Sequence, residues 1–389
     1  MARQPKTNFE VNGYNYYKTS LTLGRNAEGK SIVKVFYGLT KTEAENKKKQ
    51  YIKDLEAGLN PNFTNQTLDY SIFNWLWNIE KYSGNKSSSF ERYEGIYRNY
   101  IKSTELGSLT VSEIKKFAIQ SYYKSLLNAG KSESQIKNLH KLLNKFFNYA
   151  EIEGYIIKNP CKGIKFSKNN EDDIEECDKI IETFTEEEIK TIKNCLSNEK
   201  IRYIIMFALL TGTREGEILG LNRDDVQGKM VKINKTLRTV KVYNDEKSYH
   251  YEKKITKPKT STSKREVPIP DILMSELKKL DKLVTEEKLK LGPAYTENNL
   301  LFPSETGTYI DAKNLRRSWK RVLDKAQVPY KKFHSLRHTY ATRLFENNVS
   351  ILTVARLLGH SSTRTTEIYT HVLNNIKEKE VECLNNMFL

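Results

Sequence analysis

Six side chains in the second half of the sequence are of types that could together carry out a reaction. They are two arginines, one lysine, two histidines and one tyrosine, in the chain order Arg214, Lys259, His334, Arg337, His360 and Tyr369. Arginine presents planar donor forks to anionic oxygens, a tyrosine hydroxyl can act as a nucleophile, and lysine and histidine can transfer protons. Transesterification of a phosphodiester needs these groups: charge neutralisation on the non-bridging oxygens, a nucleophile, and a proton for the leaving oxygen.

Each of these residues, taken alone, has a simpler explanation. Arg214 in TGTREGEILGL could be a surface arginine at a helix N-terminus, and Tyr369 in LLGHSSTRTTEIYTH could be packing on a helix. Tyr309 and Tyr340 are the nearest competing tyrosines. Taken singly, the residues leave the choice of nucleophile open.

Three lysines compete for one role in the segment KPKTSTSKREVPIP. Lys259 has Lys257 and Lys264 on either side. The pattern of KT, a basic residue and then V-P favours Lys259. Because the segment between Arg214 and these lysines is long, Lys257 and Lys264 remain alternatives for the same role.

A metal site is an alternative explanation for part of the set. His334 and His338 are separated by one helical turn in FHSLRHTYATRLF, a spacing that zinc ligands use. The segment has no glutamate in the position that an H-E-x-x-H site needs, and no third ligand is apparent. The four cysteines, at 161, 177, 195 and 383, share no metal-type spacing. No P-loop or carboxylate cluster is present either, so we expect no metal and no cofactor.

Composition indicates a large, basic protein. The 389 residues include 65 Lys and Arg against 48 Asp and Glu, a formal net charge of +17. A chain of this length predicts more than one domain, and its charge favours a polyanionic partner such as nucleic acid. The start MARQPKTNFEV lacks the apolar segment of a signal peptide, and no apolar run is long enough for a membrane span. These features predict a cytoplasmic protein with reduced thiols and no membrane partner.

Residues 1–62 have the pattern of a small sheet followed by a helix. The segments YNYYKTSLTL and SIVKVFYGL, separated by GRNAEGK, predict a β-hairpin. Thr42 and Glu45 predict a capping box at the start of the helix that follows. The module could be a structural cap or a separate DNA-binding domain.

Residues 65–166 predict a four-helix bundle. Apolar residues recur at helical spacing in four stretches, of which Ile114, Phe117 and Ala118 are the third. Capping boxes are expected at Thr110/Glu113 and Ser132/Gln135. The acidic run NNEDDIEECD then predicts a linker over 167–182.

Residues 183–389 predict a mixed α+β domain that begins at a Thr185/Glu188 capping box. The segment 237–257 predicts an extended hairpin rich in tyrosine and basic residues. Four of its lysines are candidate DNA-binding residues, Lys241, Lys247, Lys253 and Lys254. The alternative is a surface hairpin that has no role in DNA binding.

The motifs TGTREGEILGL, HSLRHTYAT and LLGHSSTRTTEIYTH resemble, in order and approximate spacing, those of the tyrosine recombinase family, also called the phage integrase family. The resemblance extends over nearly the whole chain. Residues 1–62 look more loosely like the arm-binding module of integrases from conjugative transposons and temperate phages, and residues 65–166 are similar to the family's core-binding domain. The implied fold is multidomain α+β: a small β-sheet-plus-helix arm module, an all-α core-binding bundle and a mixed α+β catalytic domain.

The resemblance implies a role for each member of the set. Arg214 and Arg337 would clamp the scissile phosphate, and Tyr369 would attack it to leave a 3′-phosphotyrosyl bond. Lys259 would protonate the departing 5′-oxygen. His334 and His360 would orient the phosphate or assist proton transfer.

The family's activity gives the expected function, a site-specific DNA recombinase that integrates and excises a mobile element through a Holliday junction. Its partners would be double-stranded attachment sites, three further copies of the chain in a homotetrameric synaptic complex, and an accessory excision or DNA-bending protein. A monomeric nicking-closing topoisomerase and a non-cleaving DNA-binding regulator are the alternatives.

Overall fold

The computed structural model describes residues 9–11, 14–25, 29–60, 66–84, 86–166, 181–196, 199–257, 261–366 and 369. The chain divides into two compact units, Met1–Ser167 and Lys168–Leu389. Lys259 and most of the predicted linker over 167–182 lie outside the described residues. The finer division into an arm module, a bundle and a catalytic domain stays a prediction.

The first unit opens with a three-stranded antiparallel sheet and a helix. Its elements are β1 (Phe9–Val11), β2 (Tyr14–Arg25), β3 (Ser31–Gly38) and α1 (Lys41–Glu56). Strands β2 and β3 pair from Tyr17↔Gly38 to Arg25↔Ser31, which confirms the predicted hairpin. Strand β1 was not expected and pairs with the other side of β2.

The capping box predicted for α1 at Thr42 and Glu45 is wrong. The N-cap is Thr40, whose hydroxyl accepts from the Glu43 N–H at 3.1 Å, while the Glu43 carboxylate accepts from the Leu39 N–H at 2.8 Å. The chain contains two overlapping Thr-x-x-Glu patterns, and the helix uses the first because strand β3 ends just before it.

Helices form the rest of the first unit. They are α2 (Leu68–Asn78), α3 (Ser87–Tyr100), α4 (Glu105–Ser108), α5 (Lys116–Asn128) and α6 (Glu133–Ile152). Helix α6 begins at the predicted Ser132/Gln135 capping box, and its apolar stripe is buried against Trp75 of α2. The stripe predicted around residue 117 is wrong in part: the Phe117 side chain is 78% exposed. Thr110 and Glu113 bond to each other in a turn, and α5 starts only at Lys116.

The second unit is mixed α+β. Its elements are α7 (Glu186–Cys195), α8 (Ile201–Thr211), α9 (Glu215–Ile218), β4 (Val226–Gln227), β5 (Met230–Ile233), β6 (Thr236–Tyr243), β7 (Tyr249–Thr256), β8 (Arg265–Pro268), α10 (Asp271–Leu291), α11 (Ala312–Lys325), α12 (Ser335–Glu346) and α13 (Ile351–Leu358). Helix α7 begins at the predicted Thr185/Glu188 capping box. Strands β4, β5 and β8 form one antiparallel sheet, and β6 and β7 form a separate hairpin.

Helix α8 is the centre of the second unit. Its sequence IRYIIMFALLT is apolar on nearly all sides, a pattern typical of a helix surrounded by protein. Ile204, Ile205, Phe207 and Ala208 are buried in a core that also contains Trp319. Burying such a helix is favourable at about 25 cal/mol for each Å² of apolar surface removed from water. The C-terminal end of α8 is therefore held firmly, and the first candidate arginine follows it.

Among the described residues, no helix combines the length and the apolar character needed to cross a bilayer.

Candidate active site

Two helices of the second unit end in left-handed glycines that lie one or two residues before candidate residues. Helix α8 ends at Gly212 with φ +61°, and α13 ends at Gly359 with φ +68°. A Cβ on Gly212 would lie 2.3 Å from an aromatic ring, and one on Gly359 would lie 3.0 Å from the Arg265 side chain. Only glycine suits both the backbone conformation and the space. These turns direct the chain to Arg214 and to His360.

Arg214 is held by the carboxylate of Glu217, three residues later on α9. Its Nη1 donates to Glu217 Oε1 at 2.8 Å, and its backbone N–H donates to Glu217 Oε2 at 2.9 Å. The Arg214 side chain remains 37% exposed. The guanidinium is therefore oriented on one side and accessible on another.

Glu217 is itself buried beneath a second arginine that sequence reasoning missed. Arg265 Nη2 and Nη1 donate to the two Glu217 oxygens at 2.9 and 3.2 Å, and Arg265 Nε donates to the Leu357 carbonyl at 2.7 Å. Burial by itself raises the pKa of Glu217, but the hydrogen bonds and charge of Arg265 and the charge of Arg214 lower it to about 2. The carboxylate is therefore ionised, and the Glu217–Arg265 pair links α9, β8 and α13.

Arg337 on α12 is buried, with 3% of its surface exposed. It donates from Nη1 to the Gly212 carbonyl at 2.7 Å, and from Nη2 to the Leu358 carbonyl at 2.7 Å and to His360 Nε2 at 3.0 Å. These three acceptors are uncharged. Burial, followed by the charges of Arg214 and Arg265, lowers the pKa of Arg337 to about 9. Positive charge is thus concentrated here, an arrangement that a bound anion would stabilise.

The tautomer of His360 follows from its two partners. A guanidinium can only donate, so His360 Nε2 accepts from Arg337, and Nδ1 must carry the proton. Nδ1 then donates to Thr366 Oγ1 at 2.8 Å, inside the protein. Burial, and then the charges of Arg337, Arg214 and Arg265, lower the pKa of His360 to about 3. The ring is neutral at pH 7 and locked at both nitrogens.

Tyr369 lies in an apolar cluster with Phe345 and Leu358, and only 1% of it is exposed. Its hydroxyl is 2.7 Å from His338 Nδ1. Burial raises the pKa of Tyr369 to about 12, although the charge of Arg337 acts in the opposite direction. The candidate nucleophile is therefore docked beside the arginines with its hydroxyl bonded to a histidine.

His334 occupies the N-cap position of α12 and its side chain is exposed. Its ring contacts the His338 ring edge-on, with centroids 4.9 Å apart. Protein atoms around the ring, and then the charges of His338, Arg337 and Arg214, lower the pKa of His334. Within the described part of the chain, no group of three or more His, Cys, Asp or Glu side chains is placed to hold a metal ion.

The three competing lysines come from one stretch of chain, of which Lys259 lies outside the described residues. Lys257 and Lys264 both line an open pocket of about 670 Å³, together with Lys232 and Lys235. The pocket lies between β5, β8 and the base of the hairpin. Its lysine-rich lining suits an anionic ligand such as a phosphate group.

The predicted hairpin over 237–257 is confirmed as β6 and β7, paired from Thr236↔Thr256 to Tyr243↔Tyr249. The four lysines proposed for DNA binding differ in their surroundings. Lys241 Nζ lies over the Tyr243 and Tyr249 rings, and Lys247 is in the turn, where its N–H bonds to Asp245. Lys253 donates to the Tyr309 carbonyl, and Lys254 pairs with Glu252.

Sequence reasoning missed Glu217, Arg265 and Thr366 and considered His338 only as a metal ligand. A signal existed for two of them. Glu217 follows Arg214 at the spacing of neighbours on a helix, and Arg265 lies in the KREVP pattern used to choose Lys259. His338 meets Tyr369 across 31 positions and Thr366 meets His360 across six, and neither spacing forms a recognised local pattern.

Comparison with known proteins identifies chains of similar sequence and structures of similar fold. The family model described as "Phage integrase family" matches residues 182–375. A protein named "Tyrosine recombinase XerC-like" from Caldanaerobacter subterraneus subsp. tengcongensis is 43% identical over 390 residues, which cover 99% of each chain. Two solved structures have a similar fold. The integrase of transposon Tn1549 in complex with transposon right end DNA has a TM-score of 0.62 at 20% identity, covering 82% of this chain and 100% of that chain. A lambda integrase tetramer bound to a Holliday junction has a TM-score of 0.55 at 18% identity, covering 90% of each chain.

Proposed function

The chain belongs to the tyrosine recombinase family, also called the phage integrase family, and from this premise we propose that it integrates and excises a mobile DNA element. It is a tyrosine site-specific recombinase, and the chemistry we assign is strand cleavage and rejoining by transesterification. The substrate class is double-stranded DNA that carries attachment sites. The net charge of +17 supports a nucleic-acid partner.

One observation carries the proposal: Arg214, Arg337, His360 and Tyr369 come from separate segments yet converge on one site, where Arg337 and Tyr369 are buried and Arg214 is partly exposed. Arg337 bonds to His360, the charge of Arg214 acts on both of them, and the charge of Arg337 acts on Tyr369. In the reaction, the two arginines bind the non-bridging oxygens of the scissile phosphate. The Tyr369 oxygen then attacks phosphorus to form a 3′-phosphotyrosyl bond, and a 5′-hydroxyl leaves.

The remaining members of the set have supporting roles. Lys259 donates the proton to the departing 5′-oxygen, and the basic pocket lined by Lys257 and Lys264 holds DNA phosphate beside it. Neutral His360 presents its locked ring to Arg337 and keeps that guanidinium in place. His334 contacts the phosphate from its exposed position at the start of α12.

Recombination needs more than one copy of the chain. We assign it a homotetrameric synaptic complex that passes through a Holliday junction, in line with the lambda integrase tetramer bound to such a junction. An accessory excision or DNA-bending protein would set the direction. A non-cleaving regulator does not need hydrogen bonds that hold Tyr369 and Arg337 in place, so these bonds disfavour that alternative. Residues 1–62, as an arm-binding module, argue against a monomeric topoisomerase.

The direct test is covalent trapping on a nicked attachment site. Cleavage beside the nick releases a short oligonucleotide, so the attacking 5′-hydroxyl is lost and the 3′-phosphotyrosyl complex accumulates. We expect a band that survives denaturing electrophoresis and disappears after protease treatment. Absence of this band on the element's own attachment sites would overturn the proposed cleavage chemistry.

Removal of the N-terminal module should separate two kinds of DNA binding. A variant lacking residues 1–56 keeps Asn60, whose N–H donates to the Gly154 carbonyl at 2.7 Å. It should cleave short core sites at the normal rate but recombine full attachment sites at least about 100-fold less, because tethered domains gain avidity only when both sites are present. The measurement is a paired assay on short and full-length sites. Equal recombination of full sites would identify the module as a structural cap.

Shortening the β6–β7 hairpin should impair strand exchange more than binding. Replacing residues 241–251 with Asn-Gly keeps the buried Val240 and its register partner Glu252, so the stub can close. The lost segment contains exposed Tyr249 and Tyr251, which suit stacking on distorted bases. We expect recombination to fall about 10-fold or more while DNA affinity changes less than about threefold.

The matched control for the shortened hairpin is Lys229→Gln, which removes one charge but keeps the hairpin. Lys229 is an exposed lysine outside the hairpin and is paired with Asp271, so this change should have little effect. If the shortened protein recombines normally and protects the same DNA, the hairpin is not part of the DNA interface.

A further inference from the structure

The hydroxyl of Tyr369 has a partner that the reaction outlined above does not use. His338 Nδ1 lies 2.7 Å from the Tyr369 oxygen, within hydrogen-bonding distance. His338 is on α12, one turn after His334 and next to Arg337. The two rings are tilted by 53° with centroids 5.8 Å apart, so the contact is made at the ring edge.

We propose that His338 is the general base of the cleavage step and takes the phenolic proton from Tyr369 as its oxygen attacks the phosphate. The assignment rests on the proposed function, because it needs Tyr369 as the nucleophile. In the resting state the phenol O–H donates to Nδ1, and the ring carries its proton on Nε2. A candidate general base must reach the proton it removes, and His338 does so before any substrate binds.

The protons and bonds balance in both directions. In cleavage, the phenol proton moves to His338 Nδ1, the Tyr369 oxygen bonds to phosphorus, and the bond from phosphorus to the 5′-oxygen breaks. That oxygen receives a proton from the general acid. In rejoining, an incoming 5′-hydroxyl gives up its proton to that acid, and the imidazolium of His338 returns the other proton to the tyrosine.

The surroundings of His338 keep it ready to accept. Among the described residues, the charged and titratable groups that face its ring are Arg337 and His334 from α12 and Tyr369 from the C-terminal segment. Burial, and then the charge of Arg337, lower the pKa of His338 below its ordinary value of 6.5. The ring is thus neutral at pH 7. Because Tyr369 is buried and its pKa is raised to about 12, its hydroxyl will not ionise unaided near neutral pH.

The geometry distinguishes His338 from His334, the other histidine on this helix. The ring of His334 meets the His338 ring edge-on instead of bonding to the phenol, and its side chain is exposed. From that position His334 can contact bound DNA phosphate. The two histidines therefore have different roles: His338 takes the proton from the nucleophile, and His334 contacts the substrate phosphate.

The test compares His338→Asn with His338→Phe in single-turnover cleavage of a nicked attachment site at saturating DNA. The Asn side-chain amide places an oxygen or nitrogen where Nδ1 was, so it preserves the hydrogen bond to Tyr369 but cannot take the proton. Loss of a general base costs about 10²- to 10⁴-fold in rate. We expect both variants to lose at least about 100-fold with normal DNA binding, and His338→Asn to unfold at the wild-type temperature. If His338→Asn does not fold, His338→Ala is assayed with and without added imidazole, which should restore cleavage by replacing the base.

Two further measurements identify the step. A substrate with a 5′-bridging sulfur releases a thiolate that needs no protonation, so it should restore cleavage by a Lys259→Ala variant but not by His338→Asn.

Above pH 7, the wild-type cleavage rate should be flat, because His338 is already neutral. The His338→Asn rate should instead rise about tenfold per pH unit, following the ionised fraction of the tyrosine.

Three outcomes would overturn the assignment. Near-normal cleavage by His338→Asn, with loss only in His338→Phe, would mean that His338 merely positions Tyr369. Rescue of His338→Asn by the bridging sulfur would place His338 on the leaving group, and an unchanged pH profile would remove it from proton transfer. Failure of the proposed function itself would be recognised separately, because the wild-type protein would then form no covalent complex on its attachment sites.

Discussion

Tyr369→Phe should bind attachment-site DNA with nearly normal affinity and form no covalent complex. The substitution removes one oxygen atom, the one that the mechanism requires as the nucleophile. The ring remains in its cluster with Phe345 and Leu358, so the fold should be retained. Loss of the hydrogen bond to His338 should cost about 1 kcal/mol of stability, in the range of an ordinary buried hydrogen bond. The measurement is denaturing electrophoresis after incubation with a nicked site, with wild type run alongside.

Tyr340→Phe is the matched control for that experiment. Tyr340 is a partly buried tyrosine packed against the same cluster, and it was the nearest competitor on the sequence. Its hydroxyl is not the proposed nucleophile, so Tyr340→Phe should cleave within about threefold of the wild-type rate. A covalent band with Tyr369→Phe, or its loss with Tyr340→Phe, would show that the nucleophile has been misassigned.

Arg214→Lys should reduce strand cleavage by about 10²- to 10³-fold, the cost of removing one donor that stabilises a developing oxyanion. Lysine keeps the charge and can still bond to Glu217, but it cannot present a planar fork to two phosphate oxygens. Arg214 is the better of the two clamp arginines to change because its side chain is 37% exposed. Arg337 is buried and bonded to two backbone carbonyls, so its substitution would also disturb the fold.

The control is Arg202→Lys, at the opposite end of α8. Arg202 also bonds a glutamate, donating to the two Glu276 oxygens at 2.8 and 3.0 Å. The helix rises about 1.5 Å per residue, which puts Arg202 about 15 Å from Gly212 along the axis. The control should lose some thermal stability but cleave normally. If Arg214→Lys cleaves as well as Arg202→Lys does, Arg214 is not part of the phosphate clamp.

Elements that depend on neighbouring residues were predictable from the sequence. The capping boxes at Ser132/Gln135 and Thr185/Glu188 begin α6 and α7, because each pattern satisfies helix N–H groups within four residues. The two hairpins were likewise predictable from alternation and turn residues. Prediction failed where two local patterns competed, as at Thr40 and Thr42, or where burial depends on which face meets the core, as at Phe117.

The order of Arg214, His334, Arg337, His360 and Tyr369 was readable from the sequence because motifs around single residues are local patterns. Their mutual arrangement was not readable. Glu217 meets Arg265 across 48 positions, and His338 meets Tyr369 across 31. Spacing in the chain contains no information about such contacts, since they depend on how α9, β8 and α12 pack around α8. The sequence by itself therefore determined the order of the candidate catalytic groups, while only the tertiary structure decided which carboxylate orients the arginine and which histidine reaches the tyrosine.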